Sequence, residues 1–309
     1  MVRRATQRMT AYSLASVLLA AASGPLPAAQ QASGRHDEAT GASSAEPTSD
    51  RAEYSYGADP LQKLDFWRST AQQAAPLIVF VHGGGWKRGD KRNATGAPKV
   101  EHLTKEGYAF ASINYRLVPS ATVEQQAADV SAAIAWLRGH AAQLGIDATR
   151  IVLMGHSAGA HLVALVGTDP QYLATAGLSP SNLLGVIALD GACYDVARQI
   201  ADSGRLMRAT YVEAFGSEPV RQQALSPALQ AAASKAPAFL ILHIDRADGR
   251  AQSEALAKAL MQAGTPAEVY GVPGTGLLGH MEINRSLGKV DYAATAVVDD
   301  WLRKLLRAK

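Results

Sequence analysis

Cysteine is almost absent from this sequence: Cys193 is the only one among 309 residues. A chain with one cysteine forms no internal disulfide, so its stability has to come from a hydrophobic core. The sequence also lacks cysteines and histidines at the spacing of a zinc site. Cys193 lies among apolar residues, which is typical of a buried cysteine rather than of a nucleophile.

The N-terminal region lacks an apolar run long enough to cross a bilayer. Met9 to Ala22 is mostly apolar but short, and Arg3, Arg4 and Arg8 precede it. A basic start, a short apolar segment and then small residues are typical of a secretory signal peptide. We predict a signal peptide over residues 1–28, export to the periplasm or the medium, and no stable membrane insertion of the mature chain.

An excess of charge of one sign is also missing once this leader is removed. Residues 1–29 hold three of the 30 basic residues and none of the 27 acidic ones, so 30 less three leaves 27 of each sign. The formal net charge of +3 therefore belongs to the leader. A neutral mature chain offers no basic surface for nucleic acid or anionic lipid, and we expect no nucleic-acid partner.

Residues 29–51 are rich in Ala, Ser, Gly and Thr and have no hydrophobic periodicity. Such a composition favours a disordered linker. The predicted domain is residues 52–309, which are enough for one sizeable core.

Apolar runs and segments of helical periodicity alternate through this domain. The predicted strands are Tyr54–Gly57, Gln62–Trp67, Leu77–His82, Tyr108–Asn114, Ile151–Met154, Leu184–Leu189, Phe239–His243 and Val269–Val272. The predicted helices are Thr122–Leu144, Ala160–Val166, Gln252–Ala263 and Tyr292–Leu306. The alternation predicts an α/β protein with a mostly parallel, doubly wound sheet and helices on both faces, to which the first two strands add an antiparallel edge. Residues 191–235 interrupt the rhythm and are predicted to form a small helical lid.

One short segment, Gly155-His156-Ser157-Ala158-Gly159, joins a predicted strand directly to a predicted helix. This is the G-x-S-x-G pattern. The turn is sharp enough to strain the serine backbone, and a side chain at either glycine would clash with the neighbouring strand or helix. The hydroxyl is then exposed at a helix N-terminus, where the next N–H can face an oxyanion. Ser157 is therefore the candidate nucleophile.

A glycine-rich loop, His-Gly-Gly-Gly-Trp at residues 82–86, follows a buried strand. Consecutive glycines allow backbone N–H groups to turn toward a site without obstruction by side chains. A phosphate loop is excluded because no Gly-Lys-Ser/Thr follows, which leaves an ordinary glycine-rich turn as the alternative. We expect an oxyanion hole formed by the N–H groups of Gly84, Gly85 and Ala158.

Activation of the serine requires a histidine and a carboxylate. His280 is the candidate base because it lies in the predicted loop after the last strand. Asp248 is the preferred acid because its position five residues past the strand end at His243 gives the carboxylate room to reach the histidine. Asp245, nearby, and Asp190, at the end of the preceding strand, are the alternatives.

Four motifs give the sequence a family resemblance: HGGGW at 82–86, NYRLVP at 114–119, GHSAGAHL at 155–162 and AQSEALAKAL at 251–260. Together they resemble the α/β-hydrolase superfamily, and especially small exported carboxylesterases of the hormone-sensitive-lipase and arylformamidase-like branches. The resemblance covers about residues 52–308. It implies Ser157 as nucleophile, His280 as base, an acid after the penultimate strand, a glycine-loop oxyanion hole and hydrolysis of short acyl esters. The segment before His280 is longer than is usual in the family.

The predicted function is a serine carboxylesterase that acts on small ester substrates through an acyl-enzyme, with no metal or cofactor. One alternative is amide or formamide hydrolysis of the arylformamidase kind. Another is hydrolysis of acetyl or feruloyl esters on polysaccharide. The alternative outside enzymes is a catalytically silent hydrolase fold used for binding. The sequence leaves the oligomeric state open.

Overall fold

The computed structural model describes residues 51–71, 73–92, 95–233 and 235–307. The predicted signal peptide and all but the last residue of the predicted linker lie outside these residues. That last residue, Arg51, already begins a strand. Within the described ranges, no helix is both long and apolar enough to cross a membrane.

Eight strands form one sheet. They are β1 (Arg51–Ser55), β2 (Lys63–Trp67), β3 (Ala75–Val81), β4 (Ala109–Ile113), β5 (Ile146–His156), β6 (Gly185–Leu189), β7 (Phe239–Ile244) and β8 (Ala267–Val272). Their order across the sheet is β1-β2-β4-β3-β5-β6-β7-β8. The six strands from β4 to β8 in this order are parallel, whereas β1 and β2 pair antiparallel at one edge. The predicted fold class is confirmed, including its antiparallel edge.

Twelve α-helices connect the strands in the described part of the chain. They are α1 (Ala97–Lys105), α2 (Val123–Gly139), α3 (Ala141–Leu144), α4 (Ala158–Thr168), α5 (Pro170–Thr175), α6 (Val196–Asp202), α7 (Arg205–Phe215), α8 (Pro219–Ala224), α9 (Pro227–Gln230), α10 (Ala247–Gln262), α11 (Gly276–Arg285) and α12 (Ala293–Arg307). Residues 191–235 hold α6 to α9.

Each face of the sheet carries its own hydrophobic core. Along β3, Leu77, Val79 and Val81 belong to the core that α2, α4 and α10 complete. The intervening Ile78 and Phe80 belong to the core that α1, α11 and α12 complete. Successive strand side chains point to opposite faces, so a strand covered on both sides has to be apolar throughout. This explains the continuous apolar runs in the sequence.

Among the differences between the predicted and observed helices, two bear on the site. Helix α10 begins at Ala247, five residues before the predicted start at Gln252. Residues 276–285, predicted to be largely loop, form helix α11. Polar and glycine-containing segments, typical of loops, therefore form the first turns of both helices.

Candidate active site

The turn from β5 into α4 has the strained geometry that its sequence predicts. Ser157 has φ 56° and ψ −118°, and a positive φ is rare outside glycine. A Cβ atom at Gly155 would lie 2.3 Å from the carbonyl oxygen of Gly159, and one at Gly159 would lie 2.1 Å from that of Val81. Only glycine at these two positions allows β3, β5 and α4 to approach so closely around the serine.

The structure brings His280 to Ser157. Nε2 of His280 lies 3.0 Å from Oγ of Ser157, so the serine hydroxyl can donate a hydrogen bond to the imidazole. The sequence predicted that His280 lies in a loop, but in the structure it lies in helix α11. A helix fixes the direction of the side chain more closely than a free loop does.

The carboxylate that contacts His280 is that of Asp190, the residue after β6. Oδ2 of Asp190 lies 2.5 Å from Nδ1 of His280 and accepts its N–H. The other oxygen, Oδ1, accepts the backbone N–H of Ile244 at 3.2 Å. The backbone of Asp190 has φ 43°, and its side chain is fully buried. Ser157, His280 and Asp190 thus form one hydrogen-bonded chain.

The expected pairing of Asp248 with His280 does not occur in the structure. Asp248 lies in the first turn of α10, where Oδ2 accepts a hydrogen bond from Nε2 of Gln199 at 3.0 Å. Because α10 begins at Ala247, Asp248 is part of a helix rather than of a loop, and its Oδ2 also lies 3.3 Å from Nη1 of Arg246. Asp245 is exposed and does not contact His280 either. Asp190 could have been preferred from the sequence, because it directly follows the predicted strand Leu184–Leu189. Parallel strands end at the same edge of the sheet, so this position lies near Ser157.

Opposing effects set the charge of Asp190. Burial alone would raise the pKa of its carboxyl group. The hydrogen bond from His280, the positive charge of Arg246 and the backbone N–H of Ile244 together outweigh burial and hold this pKa below its usual value. Asp190 is therefore ionised at neutral pH and stabilises a positive charge on the imidazole.

The glycine loop lies against the serine. A Cβ atom at Gly83 would be 2.9 Å from Cβ of Ser157. Gly84 and Gly85 have φ 127° and 61°, a region that favours glycine. Among the described residues, the backbone N–H groups of Gly84 and Gly85 donate no hydrogen bond. Ala158 is the first residue of α4, so its N–H has no partner within the helix. The three predicted oxyanion donors are thus next to Ser157 or on the loop that touches it.

Buried aromatic groups fix the glycine loop on both sides. His82 stacks on Tyr115 with ring centroids 4.4 Å apart, and the tyrosine hydroxyl donates to the His82 carbonyl at 2.9 Å. Trp86 donates from Nε1 to Nδ1 of His161 at 3.4 Å. His161 in turn donates from Nε2 to the carbonyl of Leu225 at 2.9 Å. Burial lowers the pKa of His161 to about 4, so the ring is neutral and acts through packing and hydrogen bonds.

The residue before the serine holds the helix that carries the histidine. His156 donates from Nε2 to the backbone carbonyl of His280 at 2.8 Å, and the two rings lie 4.6 Å apart. Burial, with a smaller effect of the nearby His280, lowers the pKa of His156 to about 3. His156 is therefore neutral and can donate this hydrogen bond throughout the neutral pH range.

Helix α7 covers the glycine loop. The Cγ2 atom of Thr210 would be 3.1 Å from a Cβ at Gly85, and the ring of Tyr211 packs against Trp86. The N-terminal half of the helix is exposed, including Leu206, which is 83% exposed. The helix thus packs on the site only through its C-terminal half.

Cys193 is fully buried, as its apolar surroundings predicted. Burial raises the pKa of its thiol well above the usual value, so the nucleophilic thiolate form is disfavoured. In the part of the chain that the structure describes, no three His, Cys, Asp or Glu side chains are grouped so that they could hold a metal ion.

The sequence pattern of the BD-FAE family matches residues 64–260, more than half of the chain. This protein belongs to the BD-FAE family. Family membership and fold together confirm the resemblance to α/β-hydrolase esterases. The BD-FAE match spans the glycine loop, the serine turn and Asp190, and ends before α11.

Relatives of this BD-FAE protein include esterases of Mycobacterium tuberculosis. Esterase LipC is 33% identical over 201 residues, which are 62% of this chain and 49% of LipC. Esterase LipQ is 32% identical over 223 residues, 67% of this chain and 51% of LipQ. The chain therefore spans about half the length of these curated relatives. Among solved structures, the butyrate-bound Est2 esterase of Thermogutta terrifontis has a TM-score of 0.65 and 25% identity, covering 82% of this chain and 94% of that one.

Proposed function

We propose that this protein is a serine carboxylesterase that hydrolyses short acyl esters through a Ser157–His280–Asp190 triad. The observation that carries the proposal is the continuous hydrogen-bonded chain from the serine hydroxyl through the imidazole to a buried, ionised carboxylate. Such a chain activates a hydroxyl that would otherwise be a weak nucleophile.

In the proposed reaction Ser157 attacks the ester carbonyl while His280 accepts its proton. The oxyanion forms beside the N–H groups of the glycine loop and of Ala158. His280 then returns the proton to the leaving alcohol, which leaves an acyl group on Ser157. Water, deprotonated by the same imidazole, attacks this acyl-enzyme, and His280 returns the proton to Oγ of Ser157 as the bond to the acyl group breaks and the carboxylic acid leaves. Asp190 holds the neutral imidazole in the tautomer with hydrogen on Nδ1 and stabilises the imidazolium that forms in both steps.

Two observations on one relative support serine chemistry on short acyl groups. The Est2 esterase, 25% identical to this chain, is described in a butyrate-bound form. It is also described as phosphoramylated by tabun, an organophosphorus compound. The shared fold extends these properties to this chain as part of the proposal.

The test compares the wild-type enzyme with Ser157→Ala on p-nitrophenyl acetate, p-nitrophenyl butyrate and N-formylkynurenine, with fluorophosphonate labelling of both proteins. We expect the wild type to hydrolyse both esters and to be labelled, and Ser157→Ala to lose labelling and at least 10³-fold in kcat. Activity on the formamide alone would overturn the esterase proposal in favour of an amide hydrolase. A folded wild-type protein that is neither labelled nor active would indicate a silent hydrolase fold.

A further inference from the structure

A cation lies directly behind the carboxylate of the proposed triad. The connection between β7 and α10 consists of Asp245 and Arg246 alone. The side chain of Arg246 is 24% exposed and points back toward the end of β6. A second charged group therefore accompanies the carboxylate that contacts His280.

Arg246 contacts Asp190 on the oxygen that His280 does not use. Its Nη2 lies 3.4 Å from Oδ1 of Asp190 and donates to the carbonyl of Gly191 at 3.2 Å. Its Nη1 lies 3.3 Å from Oδ2 of Asp248. The guanidinium is thus fixed by a carbonyl and a second carboxylate as well as by Asp190. The distances to both carboxylates are long for charge-assisted hydrogen bonds, so the effect on Asp190 is mainly electrostatic.

The backbone of α10 makes room for this arrangement. A Cβ atom at Gly249 would lie 3.0 Å from both Nε and Nη2 of Arg246. The absence of a side chain there allows the guanidinium to lie against the first turn of the helix. Its Nε is buried and has no hydrogen-bond partner among the described residues, so hydrogen bonding alone does not account for its placement.

We propose that Arg246 is a positioning residue for the esterase reaction, whose guanidinium keeps Asp190 ionised and directed at His280. The inference rests on the function proposed above. An ionised carboxylate that is fully removed from water is costly unless cations or hydrogen-bond donors face it. Arg246 supplies a permanent positive charge beside Asp190, because a guanidinium does not lose its proton in proteins.

Other titratable groups also face the Asp190–His280 pair. They are His156 at the end of β5, Tyr194 after β6, Asp248 in α10 and Tyr292 before α12. Burial raises the pKa of Tyr292 to about 12 and lowers that of His156 to about 3, so neither changes charge between pH 4 and 9. Tyr194 is neutral as well, because burial raises its pKa.

The decisive measurement is the pH dependence of kcat/KM for p-nitrophenyl acetate. Loss of a positive charge beside the Asp190–His280 pair makes it easier to add a proton to the pair, whichever group receives it. For Arg246→Met and Arg246→Gln we expect the acid limb of the profile to move to higher pH by roughly one unit. Arg246→Lys retains the charge and should keep the limb within about 0.3 units of wild type.

The matched control is Arg150→Met, which removes an arginine of similar exposure from the middle of β5, seven residues before Ser157. Its profile should coincide with that of wild type. Each rate is divided by the fraction of enzyme folded at that pH, measured by circular dichroism, so a partly unfolded variant still gives an answer. Acid limbs of Arg246→Met and Arg246→Gln that match wild type would overturn the proposal for Arg246, while Ser157 labelling and esterase activity would leave the proposed function intact.

Discussion

Single residues under backbone strain surround the proposed site. The non-glycine residues with positive φ in the described chain are Trp86, Ser157, Asp190 and Cys193. Each follows β3, β5 or β6, whose carboxyl ends lie side by side in the sheet. Strained backbone persists where the surrounding structure compensates for it, and it concentrates at functional sites. The loops that carry Ser157 and Asp190 are therefore held by the packing of the strands beneath them.

At this scale the choice between Asp190 and Asp248 can be tested directly. Asp190→Asn should lower kcat by roughly 10⁴-fold because the amide no longer stabilises the imidazolium or its tautomer. Asp248→Asn, the matched substitution in α10, should change kcat by less than about tenfold, since this residue acts only through its neighbours. Steady-state kinetics on p-nitrophenyl acetate distinguishes them. A larger loss for Asp248→Asn than for Asp190→Asn would contradict the geometry of the site.

The sequence was sufficient to predict that Ser157 and His280 lie together, but not which carboxylate contacts the histidine. Ser157 stands in a motif whose glycines have one steric explanation, and His280 follows the last strand. Asp248 stands in Arg-Ala-Asp-Gly-Arg, a segment typical of a turn. In the structure Ala247, Asp248 and Gly249 lie in the first turn of α10, and Gln199 and Arg246 contact the carboxylate of Asp248. That outcome depends on tertiary contacts, which local sequence does not reveal.

At the scale of elements, α11 is the part of the site whose attachment matters most. His156 binds it at the backbone of His280. Lys99 of α1, which is fully buried, donates to Oδ1 of Asn284 at 2.5 Å one turn further on. The same ammonium group lies 3.9 Å from the centre of the Phe80 ring. Two polar contacts from different parts of the fold thus hold one helix.

The variant His156→Phe tests the first of these attachments. The ring is retained but the N–H is lost, so the carbonyl of His280 loses its donor at a cost of about 1–3 kcal/mol. We expect the free energy of unfolding in urea to fall by that amount and kcat to fall at least fivefold with little change in KM, because the imidazole is less well aligned with Ser157. An unchanged kcat would show that α11 is aligned without this hydrogen bond.

Helix α11 was predicted as a loop because its segment, Pro-Gly-Thr-Gly-Leu-Leu-Gly at 273–279, contains three glycines. Glycine disfavours a helix by about 1 kcal/mol relative to alanine. Here the glycines allow close packing: a Cβ at Gly279 would lie 2.6 Å from the backbone carbon of Gly274. The turn after β8 folds against the first turn of the helix, and this contact is only visible in three dimensions.

At the scale of the whole molecule, the sequence predicted a hydrophobic core on each face of the sheet. It did not predict that two histidines buried in these cores would make the stability depend on pH. The apolar runs of β3, β5, β6 and β7 predicted a sheet covered on both faces. The cores on both faces include these strands. The buried rings of His156 and His161 lie among these strands as neutral hydrogen-bond donors.

These histidines make the fold sensitive to mild acid. Their pKa values in the folded protein are about 3 and about 4, below the ordinary value of 6.5. The unfolded chain therefore binds protons below pH 6.5 that the folded protein does not, and stability falls as the pH decreases from 6.5 toward 4. Each histidine contributes a slope that is small at pH 6.5 and approaches its limit of about 1.4 kcal/mol per pH unit near pH 5.

Urea unfolding at several pH values between 7.5 and 4.5 measures this slope. His161→Gln keeps a donor and an acceptor but cannot be protonated, so near pH 5 its slope should be smaller by up to about 1.4 kcal/mol per pH unit, even if its stability at pH 7.5 is lower. Equal slopes for the two proteins would mean that His161 binds its proton in the folded state as well.

Two members of the proposed triad follow neighbouring strands, and the backbone N–H of Ser157 donates to the carbonyl of Leu189, the residue before Asp190, at 3.0 Å. The pairing of β5 with β6 therefore fixes the distance between the Ser157 hydroxyl and the Asp190 carboxylate. The imidazole alone is carried on a separate helix. A substitution that shifts α11 would therefore change the reaction rate by tilting the ring of His280. The separation of Ser157 Oγ from Asp190 Oδ2 would stay the same.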